Sequence, residues 1–260
     1  MSEGEFLDTN IMFDAIYSTR PLNNKFLQTF STTYLLKKLA ITVSVDTEAQ
    51  IIATESVNFL VKAIYNTIRP IDWDNLTSTK KDEIIKEIGK NLETDEEVRT
   101  ANRVTFVQDA LKAITSQLQN LTKNEIVSTL CPHFHYFYTR EMQRQIFEHF
   151  IIPPVDGSHP SHKNLLDMIK AANRSCNAFI MKENQDFDIL SDLALLIAVG
   201  ARYSNNLTQN FDTINFYSRD KKFEDNFTEL KSHFNGNSHK NSEETIVDAA
   251  LKNINMDKPY

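Results

Sequence analysis

The side chains with the clearest potential for chemistry are a thiol and two imidazoles that alternate in the segment Cys131-Pro-His133-Phe-His135. Thiolate and imidazole are preferred zinc ligands, and His159 and His162, or Cys176, would complete a tetrahedral set. The alternative interpretation is a helix end with surface histidines and a small buried thiol. Structural zinc motifs usually pair closely spaced ligands on both sides, and only one side has that spacing here. The sequence therefore predicts no metal and no other cofactor.

Two further groupings have the residue types of catalytic sites. Asp156, Ser158 and His159 have the composition of a nucleophilic triad, but a triad is a matter of geometry, and Asp and Ser are ordinary turn residues. Paired acids such as Glu96 and Glu97 lie in the first turns of predicted helices, where the helix dipole favours negative charge. Neither grouping predicts a catalytic site.

Composition argues against several enzyme classes. The chain has five glycines in 260 residues, and these lie too far apart to form a G-x-G-x-x-G or a G-x-x-x-x-G-K-[ST] phosphate loop. The motifs G-x-S-x-G, H-E-x-x-H and C-x-x-C are also absent. The sequence therefore predicts a protein that is not an enzyme.

A locally basic and aromatic strip, the 136–182 region, stands out on a chain of net charge −7. Its cations recur at helical spacing, and its tyrosines would stack on bases while the cations neutralise phosphates. The alternative is an ordinary mixed-charge surface beside core aromatics. The predicted nucleic-acid-binding residues are Arg140, Arg144, Lys163, Lys170, Arg174, Lys182, Tyr136 and Tyr138.

The elements that must position these residues are helices. Apolar residues recur at intervals of three and four, as in the stripe Val104, Val107, Leu111, Ile114 and Leu118. Helix starts are indicated by Thr-x-x-acid or Thr-x-x-Gln patterns at Thr47, Thr79, Thr94 and Thr122. Ile41–Val45 is the one plausible strand, and it could equally be an extended connector. Prolines crowd the stretch from 132 to 160 and are absent from 161–258. The predicted fold class is all-α, with a two-lobed helical core joined by a proline-rich central break.

The predicted organisation has five parts. They are an N-terminal arm at 1–23, a helical lobe at 24–152, the break at 153–160, a second helical lobe at 161–235, and a linker with a C-terminal amphipathic helix at 236–260. The arm and the last helix are expected to pack on neighbouring copies, which predicts a homo-oligomer.

The remaining composition places the protein inside the cell. The longest apolar run, Leu193–Val199, is too short to span a membrane. The first residues lack the basic and apolar regions of a signal peptide. Two cysteines provide no disulfide framework. The expected location is cytoplasmic, including the interior of a viral particle.

At the level of architecture alone, the predicted arrangement resembles two-lobed helical viral nucleoproteins and filament coat proteins. That resemblance implies a self-assembling capsid-like protein that binds or packages single-stranded nucleic acid between its lobes, with single-stranded RNA as a candidate partner. Two alternatives remain open. One is a helical adaptor or host-interaction protein without nucleic acid, which the pI of about 5.5 favours. The other is an all-helical metal-dependent hydrolase that uses His133, His135, His159 and His162.

Overall fold

The structure is a computed structural model that describes residues 3–17, 20–36, 38–151, 212–236, 238–257 and 260. The predicted break at 153–160 and residues 161–211 of the predicted second helical lobe lie outside the described residues. Helices account for most of the described chain, which confirms the mostly helical prediction. They are α1 (Thr9–Ile16), α2 (Asn23–Leu35), α3 (Val43–Ile68), α4 (Ser78–Thr94), α5 (Glu96–Thr100), α6 (Val104–Asn120), α7 (Lys123–Glu125), α8 (Cys131–His149), α9 (Lys221–Gly236) and α10 (Ser242–Lys252).

A parallel β-sheet corrects the all-α prediction. Its strands are β1 (Glu3–Leu7), β2 (Leu39–Ala40), β3 (Phe150–Ile151), β4 (Thr213–Tyr217) and β5 (Ile254–Asp257), in the spatial order β3-β2-β1-β4-β5. Every pairing is parallel, and Phe6 of β1 lies opposite Ala40 on one side and Phe216 on the other. Parallel neighbours need long crossover connections, which the intervening helices provide.

The strands differ from the one strand that the sequence predicts. Residues of β1 belong to the segment expected to be a polar arm, yet they form the central strand, and Phe6 and Leu7 are fully buried. The predicted strand Ile41–Val45 is wrong, because β2 ends before it at Ala40 and α3 begins within it at Val43. Since β2 and β3 have two residues each, they are too short to show the period of two that marks a strand.

Helix boundaries follow local chemistry. The capping box at Thr122 is confirmed, since its side chain accepts from the Glu125 N–H while the Glu125 carboxylate accepts from the Thr122 N–H. The predicted start at Thr47 is wrong, because α3 begins four residues earlier. Pro132, one of the crowded prolines, does not end a helix. It lies inside a continuous helical segment, because α7 leads through a π-helical turn at Ile126–Leu130 directly into α8. Proline lacks the N–H of the regular helical ladder, and the wider π-turn ends just before it.

The chain divides into two compact units. Unit 1 comprises the described parts of Met1–Ile16, Leu22–Thr47 and Phe147–Tyr260 and contains the sheet. Unit 2 comprises the described parts of Tyr17–Pro21 and Glu48–Ile146. The predicted two-lobed arrangement around 153–160 is not confirmed.

The cores of the two units are built from the predicted apolar stripes. In unit 1, Phe223, Phe227, Leu230 and Phe234 of α9 are all buried. In unit 2, α4 packs on α6, and a Cβ on Gly89 would lie 3.2 Å from Leu111 Cδ2. Glycine therefore permits the close approach of these two helices. Within the described residues, no helix combines the length and apolar character needed to cross a bilayer.

Unit 2 also encloses a buried ion pair. Arg20 Nε donates to Asp109 Oδ2 over 2.8 Å, and the two side chains are 7% and 3% exposed. The Arg20 guanidinium lies 4.5 Å from the Phe106 ring centroid. Beside it, the hydroxyls of Tyr17 and Tyr138 are hydrogen-bonded. Burial raises the pKa of Tyr138 to about 12, so its hydroxyl stays protonated at neutral pH.

In unit 1, α10 is held by a carboxylate that two lysines share. Asp248 accepts from Lys240 Nζ at 2.7 Å and from Lys252 Nζ at 2.8 Å. These hydrogen bonds hold the pKa of Asp248 below its usual value.

Candidate functional site

The order of the strands indicates that a ligand site would lie at one edge of the sheet. The chain runs outward from β1 through β2 to β3, and then β4 pairs on the other side of β1, with β5 beyond it. The strand order therefore reverses between β1 and β4. In open parallel sheets, ligands bind outside the carboxyl ends of the strands at such a reversal. The residues that follow β1 and β4 are Asp8-Thr9-Asn10 and Ser218-Arg219-Asp220.

These two tripeptides meet at the Asp8 carboxylate. Asp8 is buried at the end of β1, and its N–H donates to Tyr217 O at 3.0 Å. Its Oδ1 accepts from the Thr9 N–H at 2.6 Å, at the start of α1. Its Oδ2 accepts from Asn10 Nδ2 at 2.7 Å and from Ser218 Oγ at 2.6 Å. The carboxylate is therefore held in one orientation by both strand ends.

Ser218 connects the buried carboxylate to an exposed one. Its hydroxyl donates to Asp8 and accepts from the Asp220 N–H at 2.9 Å. Asp220 is exposed and immediately precedes α9. The site therefore has one buried and one solvent-accessible carboxylate, with a single serine hydroxyl between the Asp8 side chain and the Asp220 backbone.

Asn10 adds an acceptor to the same place. Its Nδ2 donates to Asp8 Oδ2, while its Oδ1 is buried and accepts no hydrogen bond from the described residues. A buried acceptor without a donor is unfavourable by about 1–3 kcal/mol. A cation or a donor group of a ligand would satisfy it.

Arg219 fixes the end of β4 to α1. Its Nη2 donates to Asn10 O at 3.0 Å, and its Nη1 lies 2.6 Å from Asp14 Oδ2. The Asp14 side chain is 3% exposed, so this ion pair is shielded from water on the carboxylate side. Tyr260 donates its hydroxyl to the same Asp14 oxygen at 2.7 Å.

Three of the predicted nucleic-acid-binding residues lie on one exposed stripe of α8. Tyr136, Arg140 and Arg144 are exposed at intervals of four residues, and Tyr136 is 61% exposed. Arg144 pairs with Glu141 at 2.5 Å. Tyr138 is buried against Tyr17 and Phe134, a position that suits packing better than stacking on a base. The remaining predicted cations, Lys163, Lys170, Arg174 and Lys182, lie outside the described residues.

The thiol and imidazole cluster is divided by burial. Cys131 is buried, which raises the pKa of its thiol to about 11, while His133 and His135 are exposed. Throughout the described part of the chain, no three His, Cys, Asp or Glu side chains form a group that could hold a metal ion. His159, His162, Cys176, Asp156 and Ser158 lie outside the described residues.

The local sequence patterns did not indicate the tripeptides at 8–10 and 218–220. Each follows a short segment with apolar residues, Phe6-Leu7 or Ile214-Asn-Phe-Tyr217, and each combines aspartate with other polar or charged residues. Had both segments been interpreted as strands, the rule that polar side chains gather at the carboxyl ends of parallel strands would have indicated them.

Comparison with known proteins identifies no relative of this chain. The chain matches no protein-family model, no curated protein and no solved structure.

Proposed function

We propose that the chain is a divalent-cation-dependent hydrolase of phosphodiester bonds in single-stranded RNA. The observation that supports it is the position of Asp8 and Asp220 at the two strand ends between which the strand order reverses, connected through Ser218. This proposal departs from the expectation of a non-enzymatic protein, which stays a prediction.

The side chains present suit a hard cation such as Mg²⁺. Mg²⁺ prefers oxygen ligands and is commonly held by one or two carboxylates together with water and substrate phosphate oxygens. Asp8 and Asp220 would supply the carboxylates, and the buried Asn10 Oδ1 would supply a neutral oxygen or orient a bound water. A complete cage of three or more protein side chains is not required.

Each residue then has a defined part in the reaction. Asp8, fixed by Asn10 and Ser218, would be the residue that holds a divalent cation, and such a cation would supply positive charge to stabilise the negative charge that develops on the phosphate. Asp220 is exposed and would accept the proton of the attacking water. The water oxygen forms a bond to phosphorus while the bond from phosphorus to the leaving sugar oxygen breaks, and the leaving oxygen takes a proton from solvent.

Two features favour a nucleic acid strand as the substrate. Neither tripeptide contains glycine, so these loops lack the residue on which backbone cradles for nucleotide phosphates depend. Unit 2, described by itself, carries on α8 an exposed stripe of Tyr136, Arg140 and Arg144, which offers a stacking ring and arginine cations to a single strand, with Arg144 also paired with Glu141.

The experiment that tests the proposal measures cleavage of a labelled single-stranded RNA by the full chain with Mg²⁺ or Mn²⁺. Asp8→Asn and Asp220→Asn should each lower kcat by about 100-fold or more, because even residues that only support metal ligands typically contribute 10–100-fold. Asp225→Asn is the matched control, since Asp225 is an exposed aspartate on α9. Absence of cation-dependent cleavage, or full activity of both site variants, would refute the proposal.

The α8 stripe supports a second candidate, binding of RNA without cleavage, as in the coat-like expectation. Arg140→Glu should weaken binding of single-stranded RNA measured in EDTA, whereas Arg99→Glu, at an exposed position on α5, should not. Self-assembly through the terminal segments stays a prediction, and a sizing profile of the purified chain tests it.

A further inference from the structure

β5 forms one edge of the sheet, and its outer side carries backbone groups that β4 does not use. Among the described residues, no strand lies beyond β5. The carbonyl oxygens of Asn253 and Asp257 accept hydrogen bonds from backbone N–H groups in β4 and just after it. Because consecutive residues of a strand direct their backbone groups to alternate sides, the N–H and C=O groups of Ile254 and Met256 point away from β4. A row of such groups is a template for pairing with a further strand.

A groove of about 480 Å³ follows this outer edge. One of its walls is β5, and the other is a side of α9 that includes Phe227, Thr228 and Lys231. All four residues of β5 line the groove. Since consecutive side chains of a strand point to opposite faces of the sheet, a groove that meets four of them in a row runs along an edge and not over one face. The inner edge is occupied by β4, so this groove lies along the outer one.

A groove between an edge strand and a helix fits an extended peptide. In this mode of recognition the peptide adds a strand to the sheet, its main chain supplies the hydrogen bonds, and its alternate side chains determine the specificity. Met256 lies opposite Phe216 of β4, and the Phe216 ring stacks on Phe223 of α9. Every second side chain of an added strand therefore faces α9, where the buried ring of Phe227 favours an apolar residue. Lys231 Nζ lies 5.6 Å from the Phe227 ring centroid, so this wall disfavours a second cation.

The other face of the sheet offers polar partners to the remaining side chains of an added strand. Asn215 Nδ2 donates to Glu5 Oε1 at 3.0 Å, and Asn255 Nδ2 donates to Asn215 Oδ1 at 3.0 Å. This line of side chains crosses β1, β4 and β5 and ends at Asn255, which is exposed. The carbonyl oxygen of the Asn255 side chain is therefore placed to accept a hydrogen bond from a donor on an added strand.

This polar face is also negatively charged. Burial raises the pKa of the Tyr217 hydroxyl, and the carboxylates of Glu5, Asp257 and Glu3 raise it further. Asp257 is exposed at the end of β5. Lysine or arginine side chains on this face of an added strand would lie beside Asp257, whereas aspartate or glutamate side chains would be repelled.

We propose that the outer edge of β5 binds an extended peptide segment of a partner protein in which apolar residues alternate with lysine or arginine. The peptide pairs through its main chain with Ile254 and Met256. Its apolar side chains face α9, and its basic side chains lie beside Asn255 and Asp257. None of these four residues belongs to the proposed catalytic site, so the interaction does not depend on the proposed function.

The test titrates a short fluorescein-labelled peptide, in which lysine alternates with valine, with the full chain and records fluorescence anisotropy. Saturable binding is expected. The same peptide with glutamate in place of lysine should bind at least about tenfold more weakly, because like charges then face each other. The lysine peptide with N-methylated backbone amides should not bind, because it keeps every side chain and loses the main-chain donors of a strand.

Two variants test the edge itself. Met256→Pro removes an N–H that points away from β4 and therefore keeps the hydrogen bonds between β4 and β5. It should weaken binding of the lysine peptide by at least about tenfold, because a carbonyl of the peptide is left unpaired. Asp257→Lys should weaken the same binding by about fivefold, the upper end for an exposed ion pair. Asp225→Lys is the matched control, since Asp225 is exposed on α9 and does not line the groove.

Melting temperatures show which variants keep the native fold. The proposal is wrong if the lysine peptide does not bind, if its N-methylated form binds equally well, or if a folded Met256→Pro chain binds as tightly as the native chain. If Met256→Pro does not fold, Asp257→Lys decides, and an affinity equal to that of Asp225→Lys would overturn the proposal. A native chain that is dimeric by sizing and becomes monomeric in Met256→Pro would show that a second copy covers the edge, which also overturns it.

Discussion

Removal of the negative charge from the buried pair in unit 2 should destabilise the chain strongly. Asp109→Asn keeps the size of the side chain and leaves the Arg20 guanidinium buried without its carboxylate. Because both side chains are less than 8% exposed, water cannot replace the lost partner. Loss of one partner of such a pair typically costs about 3–5 kcal/mol of unfolding free energy. With a urea m-value of about 3 kcal/mol per molar, the unfolding midpoint should fall by about 1–1.7 M.

The assay is urea unfolding followed by tryptophan fluorescence. Trp73 is the only tryptophan of the chain and is fully buried in unit 2, where Asp109 also lies. Glu97→Gln is the control, because the pair of Lys62 and Glu97 is 65% and 68% exposed and exposed pairs typically contribute about 0.2–1 kcal/mol.

A double variant tests the explanation itself. Arg20→Met combined with Asp109→Leu removes both buried charges and should recover most of the stability that Asp109→Asn loses. The reasoning is refuted if Asp109→Asn costs no more than Glu97→Gln, or if the double variant is no more stable than Asp109→Asn.

Three further predictions concern stability and reactivity. The two lysine partners of Asp248 lower its pKa, so its contribution to folding stability is present above the unfolded pKa of about 4 and is lost as the pH falls through the folded value. Melting temperatures measured from pH 7 to pH 2 should show this loss in the native chain. An equally large acid-induced loss in Asp248→Asn would contradict this assignment. Burial raises the pKa of the Cys131 thiol to about 11, so alkylation of this thiol at pH 7.5 should be slow until urea unfolds the chain. The assay uses Cys176→Ser, which leaves Cys131 as the only cysteine. Rapid labelling of the folded chain would contradict the prediction. Thr122→Ala removes the capping box with Glu125 and should cost about 1 kcal/mol in urea unfolding, a result that an unchanged midpoint would overturn.

The sequence was sufficient to predict most described helices because their signals are local. The stripe of Phe223, Phe227, Leu230 and Phe234 shows the helical period directly, and Asn235-Gly236 marks the end of α9. The end of α3 at Ile68 follows from Pro70, which disfavours helical backbone at Arg69.

The strands were not predictable in the same way. Two of them have only two residues, and β1 begins with Glu3-Gly-Glu5, which has the composition of a polar arm. The side chain of Glu5 is accommodated by Asn215 of β4, whose Nδ2 donates to Glu5 Oε1 at 3.0 Å. Because this partner lies more than two hundred residues away, the local sequence around Glu5 does not indicate it.

The candidate site was missed for a related reason. Asp8 is a helix N-cap by its local pattern, and Ser218 and Asp220 are ordinary turn residues before α9. Neither tripeptide alone has a residue pattern that indicates a site. Only the pairing of β1 with β4 brings the two tripeptides together, and that pairing cannot be inferred from either segment by itself.

The position of β1 at the centre of the parallel sheet has a consequence for folding. Its neighbour β4 lies about two hundred residues later in the chain, so a ribosome must synthesise most of the protein before the central pairing can form. Until then, the apolar residues Phe6 and Leu7 lack the partner that buries them in the native sheet. Pairings of this separation have a high loop-closure cost and are associated with slow folding and aggregation. We therefore expect refolding from urea to be limited by the docking of β4 and β5 on β1, and chaperones to increase the yield of folded protein.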